Sequence, residues 1–212
     1  MELVPYVVRQ GDYLLSLAAK NAFDPDAIWA HARNDRLRLS RKDPNMLLPG
    51  DVLYIPVPPK DNWLPVKIGA TNTFKAKPVL VSISVKFTAD GEALAGEPYE
   101  IDGAPVDAGS LDGDGFLHGK VPTYVKVFLV RFPKRNEHYA VQVGHLDPPE
   151  SASGMRMRLG MLGIYGNGPS AGADDADDLA AGLRLFQWKH SLSVTGAIDD
   201  ATVSKVVEVF GR

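Results

Sequence analysis

The sequence predicts a multidomain α+β protein, with a βααβ unit first, a small β-sandwich second and a three-helix bundle third. Three observations carry this. Short strand and helix patterns share residues 1–57, apolar residues alternate with a period of two over 79–147, and the period becomes 3.6 after 148. Proline-bearing stretches separate the blocks: Pro58, Pro59 and Pro65 in the first, Pro148 and Pro149 in the second. Asp-Gly pairs punctuate the middle block at the spacing of short strands.

In the first block Val4, Tyr6 and Val8 alternate as a short strand. Gly11-Asp12 turns the chain, and Asp12 is a cap candidate for a helix over 13–20. Asp24-Pro25 is a second start signal, a capping residue followed by proline at the first helical position. It predicts a helix over 25–33 with Ile28 and Trp29 facing inward. Leu48-Pro49-Gly50-Asp51 is a turn, and Val52 to Ile55 is the return strand.

Residues 58–78 read as an extended, stiff linker in which Trp63 packs on a neighbouring unit. Val79, Val81, Ile83, Val85 and Phe87 then alternate as a half-buried strand. Further strands are expected near Glu97–Ile101, Val106–Ser110, Phe116–Lys120, Tyr124–Arg131 and His138–Val143. Asp102-Gly103 and Asp112-Gly113-Asp114-Gly115 read as hairpin turns, and strands at this spacing imply a small sandwich.

After 148, Met155, Leu159 and Leu162 stand at i, i+4 and i+7, and Leu179, Leu183 and Phe186 repeat the pattern. Val203, Val206, Val207 and Phe210 mark a third helix, capped by Asp199 or Asp200 and ended by Gly211.

Composition bounds the function. The 212 residues suffice for two to three small units, and a net charge of −3 gives no reason to expect a nucleic-acid partner. With no cysteine, the fold must rely on its cores. The start, Met1 to Pro5, has neither the basic nor the apolar region of a Sec signal, and no stretch is long and apolar enough to span a bilayer. His31, His118, His138, His145 and His190 include no pair at helical ligand spacing and no HExxH. A cysteine nucleophile is excluded by composition. The expectation is a non-enzymatic protein with no cofactor and no metal. Asp112 to Asp114 lacks the rest of a calcium loop, because the twelfth position is Thr123.

Three resemblances sharpen this. Tyr6-Val7-Val8-Arg9-Gln10-Gly11-Asp12-Tyr13-Leu14, Asn34 and Leu48-Pro49-Gly50-Asp51-Val52-Leu53-Tyr54-Ile55-Pro56 resemble a LysM domain. That family binds N-acetylglucosamine glycans such as peptidoglycan in a shallow groove between the loops after its first strand and before its second. The resemblance implies glycan contacts by Gly11, Asp12, Tyr13, Leu14, Met46, Leu47, Leu48 and Pro49. Tyr13 stands where many LysM domains have threonine, so its ring either stacks on a sugar face or fills the groove. Asp90-Gly91, Leu94-Ala95-Gly96, Pro98-Tyr99, Gly109-Ser110-Leu111-Asp112 and Gly115 resemble the prealbumin-like accessory domains of type VI secretion spike proteins. Arg158 to Tyr165, Leu185-Phe186-Gln187 and Leu192 to Gly196 resemble peptidoglycan-binding domain type 1, which implies a stem-peptide contact by Gln187. The loop Gly166–Asp178 departs from that family, because it lacks the usual Gly-Phe-Gly-Pro element.

Together the resemblances imply a peptidoglycan-binding protein associated with a type VI or related contractile injection system. The alternative is an adaptor or docking protein of the spike or baseplate whose LysM unit no longer binds glycan. Its partners would be peptidoglycan, a spike protein or an effector. Its expected place is the cytoplasm of the producing bacterium, with delivery to a periplasm by the injection machine.

Overall fold

A computed structural model describes residues 2–57, 65–74, 77–164 and 175–211, with the side chains of residues 175 and 176 left aside. The chain is mixed α+β, with six α-helices and several small antiparallel sheets among the described residues. Trp63 lies outside them, as does most of the 166–178 loop.

The N-terminal alternation forms β1 (Leu3–Val7), which pairs antiparallel with β2 (Val52–Pro56) in the register Leu3↔Pro56 to Val7↔Val52. Between them run α1 (Leu14–Asn21), α2 (Pro25–Trp29), a 3₁₀ turn (Ala32–Asn34) and α3 (Asp35–Ser40). Leu14, Leu17, Ile28, Leu37, Leu47, Leu53 and Ile55 close one core under the two-stranded ribbon. Asp24 caps α2 as expected, accepting from the Asp26 and Ala27 amides.

Two local expectations change. The second helix stops at Trp29 instead of running to 33, because His31 is extended and its Nδ1 accepts the Arg33 amide at 3.1 Å. That local bond starts a new turn, and the buried Leu37 then anchors α3, which the βααβ reading lacked. Asp12 does not cap α1. Its carboxylate accepts from the Tyr6 hydroxyl at 2.7 Å and the Arg9 amide at 2.9 Å, tying the end of β1. Tyr13 holds the N-cap position, and the Ser16 hydroxyl accepts its amide.

Asn34, fully buried, joins the helices to the ribbon. Its side chain donates to the Ile28 and Tyr54 carbonyls and accepts the Tyr54 amide at 2.8 Å. A buried amide with both ends matched in this way acts as a piece of extra backbone pairing.

The β-rich stretch holds β3 (Leu80–Lys86), β4 (Thr88–Ala89), β5 (Glu92–Ala93), β6 (Pro98–Asp102), β7 (Gly109–Ser110), β8 (Phe116–Pro122), β9 (Val127–Phe132) and β10 (Glu137–Gln142). One sheet has the order β10-β9-β6-β7, and β3 pairs with β8 in a second. Leu117 and Val121 of β8, Phe128, Val130 and Phe132 of β9, and Tyr99 of β6 meet in a shared core. Asp90 and Gly91, both at positive φ, make the two-residue β4–β5 hairpin. The expected hairpin at Asp112–Gly115 is different. Its flanking strands β7 and β8 pair with β6 and β3, not with each other. The turn instead carries the chain between sheets, held by Asp112 Oδ1, which accepts the Asp114 and Phe116 amides.

The C-terminal stretch forms α4 (Ala152–Met161), α5 (Asp175–Lys189) and α6 (Asp200–Phe210). Met155, Leu159, Leu183, Phe186 and Val206 fill their core, as the 3.6 period predicts. Ser151 caps α4 by accepting the Gly154 amide, and Asp199 caps α6 by accepting the Thr202 amide at 2.8 Å.

Candidate functional site

The two loops expected to frame a glycan groove lie side by side, and they bond to each other. Pro44 O accepts the Leu14 amide at 3.1 Å, and Asn45 Oδ1 accepts the Leu15 amide at 3.1 Å. These are first-turn donors of α1, which any helix must satisfy from outside. The chain has satisfied them itself, so neither amide is offered to a ligand.

Of the eight glycan candidates, Leu14 and Leu47 are buried in the first core. Gly11 is also buried, whereas Asp12, Met46 and Leu48 are half-buried. Pro49 alone is exposed. The Leu48 amide is taken by Asp51 Oδ2, and Asp51 itself receives a two-point bond from Arg41 at 2.8 and 2.9 Å.

Tyr13 neither faces a sugar nor fills a groove of its own unit. It is 2 % exposed and belongs to the core of the β-rich stretch, beside Val121, Val125 and Val143. Its hydroxyl reaches the Thr123 carbonyl at 3.5 Å, and Lys126 Nζ stands 5.8 Å over its ring. Burial of the phenol raises its pKa above the usual value near 10.

Residues 144–148 lie across the same loops. Gln10 Nε2 donates to the His145 carbonyl at 3.0 Å and reaches Asp147 Oδ1 at 3.4 Å. A Cβ on Gly11 would meet His145 Nε2 at 3.0 Å, so the imidazole lies directly on that glycine. Gly144 makes room for Tyr13: a Cβ there would stand 2.6 Å from Tyr13 Cδ1.

Behind this segment stands Arg158 of α4, fully buried. Its Nη1 donates to the carbonyls of Asp147 at 2.6 Å and Gly154 at 2.9 Å, and its Nη2 points at Met46 Sδ, 3.7 Å away. Arg158 Nε is buried without a hydrogen-bond partner. Loss of hydration dominates its environment and lowers its pKa to about 10, with Glu150 and Asp147 offsetting only part. Met46, a second-wall candidate, thus faces the helical unit.

Gln187, the stem-peptide candidate, is fully buried in the helical unit. Its Nε2 donates to Thr195 Oγ1, Ala197 O and Thr202 Oγ1 at 2.9–3.1 Å, and its Oε1 accepts the Gly196 amide at 2.9 Å. Both ends of the amide are therefore engaged in fixing the turn before α6.

The residues that sequence reasoning missed are Gln10, Gly144, His145, Asp147 and Arg158. Nothing in a local pattern links positions so far apart. The one available signal was Tyr13, a large ring where a small hydroxyl is usual in the resembling family. No protein family, curated protein or solved structure matches the chain. Among the described residues no helix is long and apolar enough to cross a membrane, and no group of three or more His, Cys, Asp or Glu gathers as a metal set.

Proposed function

We propose that the chain is a non-catalytic interaction protein of a contractile injection system, an adaptor whose LysM-like unit seats the rest of its own chain instead of presenting an open glycan groove. The observation that carries this is the Tyr13 ring inside the core of the β-rich unit. In a free glycan module that loop would face solvent. Here Gly11 is covered by His145 and Met46 is backed by Arg158.

The carboxylates with lowered pKa support a structural rather than a catalytic reading. Asp112 is held down mainly by the Phe116 amide, Glu137 by Arg135, and Asp199 by the Thr202 amide. Each serves a turn, a strand end or a cap, and a carboxyl held in its charged form is a poor general acid. The assignment to an injection machine rests on the sequence resemblance of the prealbumin-like sandwich and of the three-unit order. On this reading the partner is a spike protein or an effector. The chain works in the cytoplasm of the producing bacterium and meets a wall on delivery.

Co-sedimentation with purified insoluble peptidoglycan tests the reading. Wild-type protein is expected to stay in the supernatant. Wild-type protein that pellets, and loses this with Leu48→Arg, would overturn it and make the chain a wall-binding protein with a working groove.

A further inference from the structure

Helix α5 is apolar on two sides. Leu179, Leu183 and Phe186 are buried in the core of the helical unit. Ala181, Leu185 and Trp188 stand at i, i+4 and i+7 and are exposed, Leu185 at 48 % and Trp188 at 71 %. At 3.6 residues per turn these three fall within about 60° of one another, roughly opposite the buried side. A surface helix usually carries charged residues there. Single exposed apolar residues are ordinary, but a second stripe at helical spacing that ends in an open indole marks a contact face. The charges beside the stripe are ordered along the helix. Asp177 and Asp178 lie one turn before Ala181, and Lys189 lies one turn after Leu185. All three are exposed, and among the described residues neither Asp178 nor Lys189 has an ion-pair partner. Arg184 is engaged elsewhere: a Cβ on Gly196 would meet its Nε at 2.9 Å, so its side chain lies on the turn before α6.

We propose that this face of α5 packs antiparallel on α5 of a second copy of the chain, across a two-fold axis beside Leu185. The order of charge selects this occupant. An antiparallel copy brings the Lys189 end of each helix to the Asp178 end of the other, twice over, as an isologous contact requires. Side-chain size agrees. The pairs Ala181/Trp188 and Asp178/Lys189 are centred within one residue of each other, next to Leu185. One register therefore sets each indole over the small Ala181 of the other copy, sets Leu185 against its own copy, and closes both ion pairs. A parallel copy would set Asp178 against Asp178 and Lys189 against Lys189. The stretch from Asp178 to Lys189 is about 18 Å long, and each indole contributes about 150–250 Å². With Leu185 added, this stays below the roughly 800 Å² per partner of a standard interface. The dimer is therefore weak and depends on concentration. The inference goes beyond the adaptor reading, because a paired chain presents each of its other surfaces in two copies.

Sedimentation velocity of the full chain from about 1 μM to about 1 mM, the range of weak affinities, reads the association. The wild-type mass should rise with concentration from 23.0 kDa toward twice that value. Trp188→Ser should weaken association by about thirtyfold or more, the loss typical of a central aromatic anchor. Its side chain is exposed, so its thermal unfolding should match that of the wild type. Asp178→Lys and Lys189→Asp each set like charges together, so each should be monomeric where the wild type is paired. An equimolar mixture of these two variants should pair again, a recovery that no folding defect produces. Wild-type protein that keeps the monomer mass up to about 1 mM overturns the proposal. Association that Trp188→Ser leaves unchanged overturns it as well. Single charge variants that associate like the wild type, or a mixture of them that stays monomeric, overturn the antiparallel seating. No peptidoglycan enters these measurements, so their failure leaves the adaptor reading standing.

Discussion

The ring of Tyr13 and the bare backbone of Gly144 fit one another. Gly144 has φ +77°, and a Cβ on it would stand 2.6 Å from Tyr13 Cδ1 and 3.0 Å from the Gly11 carbonyl. Only glycine suits both demands, the left-handed backbone and the close approach. The pair joins a helix start of the first unit to a strand end of the second, across 131 positions counted from 13 to 144. It ties the start of α1 in the first unit into the core of the β-rich unit.

Tyr13→Ala should therefore destabilise the protein by about 3–5 kcal/mol, the usual cost of emptying a buried aromatic site. Tyr13→Phe should cost under about 1 kcal/mol, because the hydroxyl contact at 3.5 Å is long. The two also differ at high pH. The folded phenol has a raised pKa and stays neutral, while the unfolded phenol ionises near 10. Stability due to this group is full below pH 10 and falls as the pH rises through the folded value. Urea denaturation from pH 8 to 11 should show a shallower alkaline loss for Tyr13→Phe than for wild type.

Gly154→Ala tests the turn by which residues 147 and 148 enter α4. A methyl group at Gly154 would overlap the Pro148 and Asp147 carbonyls, which are backbone and cannot swing aside. The same turn gives Arg158 its Asp147 carbonyl. The expected cost is about 3 kcal/mol, the upper end for overpacking. Hydrogen exchange should rise over 147–158 while the β1–β2 ribbon keeps its protection.

Gln187 separates a structural amide from a ligand-binding one. Gln187→Leu leaves the Gly196 amide and the Ala197 carbonyl without their partner. Gly196 is half-buried and Ala197 exposed, so water offsets part of the roughly 1–3 kcal/mol that a stranded buried group costs, and thermal unfolding should still shift down. Gln187→Glu restores the acceptor for Gly196 but removes the donor and buries a charge, and should be no better. A Gln187→Leu protein that is as stable as wild type would return this residue to the list of ligand contacts.

Much of the fold was legible because its signals are local. The alternation from Val79 to Phe87, the Asp24-Pro25 start, the Asp90-Gly91 turn and the i, i+4, i+7 pattern of Leu179, Leu183 and Phe186 each act within a few residues. Errors arose where a local rule met a better distant offer. Asp12 looked like a cap but is bonded to Tyr6 and Arg9, and the loop that carries Pro44 and Asn45 satisfies α1 in its place. Asp112–Gly115 has the chemistry of a hairpin, yet strand pairing with β3 and β6 decided its path. The candidate site was hardest. Its loops were found, but their cover is built from residues 144–148 and 158, whose approach no periodicity encodes.

Acid stability should follow the caps. Asp199 accepts the Thr202 amide at 2.8 Å and the Thr202 hydroxyl at 2.7 Å, and these bonds favour its charged form, so its folded pKa lies below the ordinary value near 3.8. A depressed carboxylate contributes stability that is full above the unfolded pKa and is lost as the pH falls through the folded one. Asp112 and Glu137 have shifts of the same sign, from the Phe116 amide and from Arg135. The melting temperature should thus fall steadily below about pH 4, the unfolded carboxylate range. Asparagine caps a helix almost as well as aspartate but does not titrate there. Asp199→Asn should melt slightly below wild type at pH 7 and lose less between pH 5 and pH 2, so the two curves should converge in acid. Parallel curves would mean that the Asp199 carboxylate has the same affinity for protons in the folded and unfolded chain, and that its bonds to Thr202 do not favour the charged form.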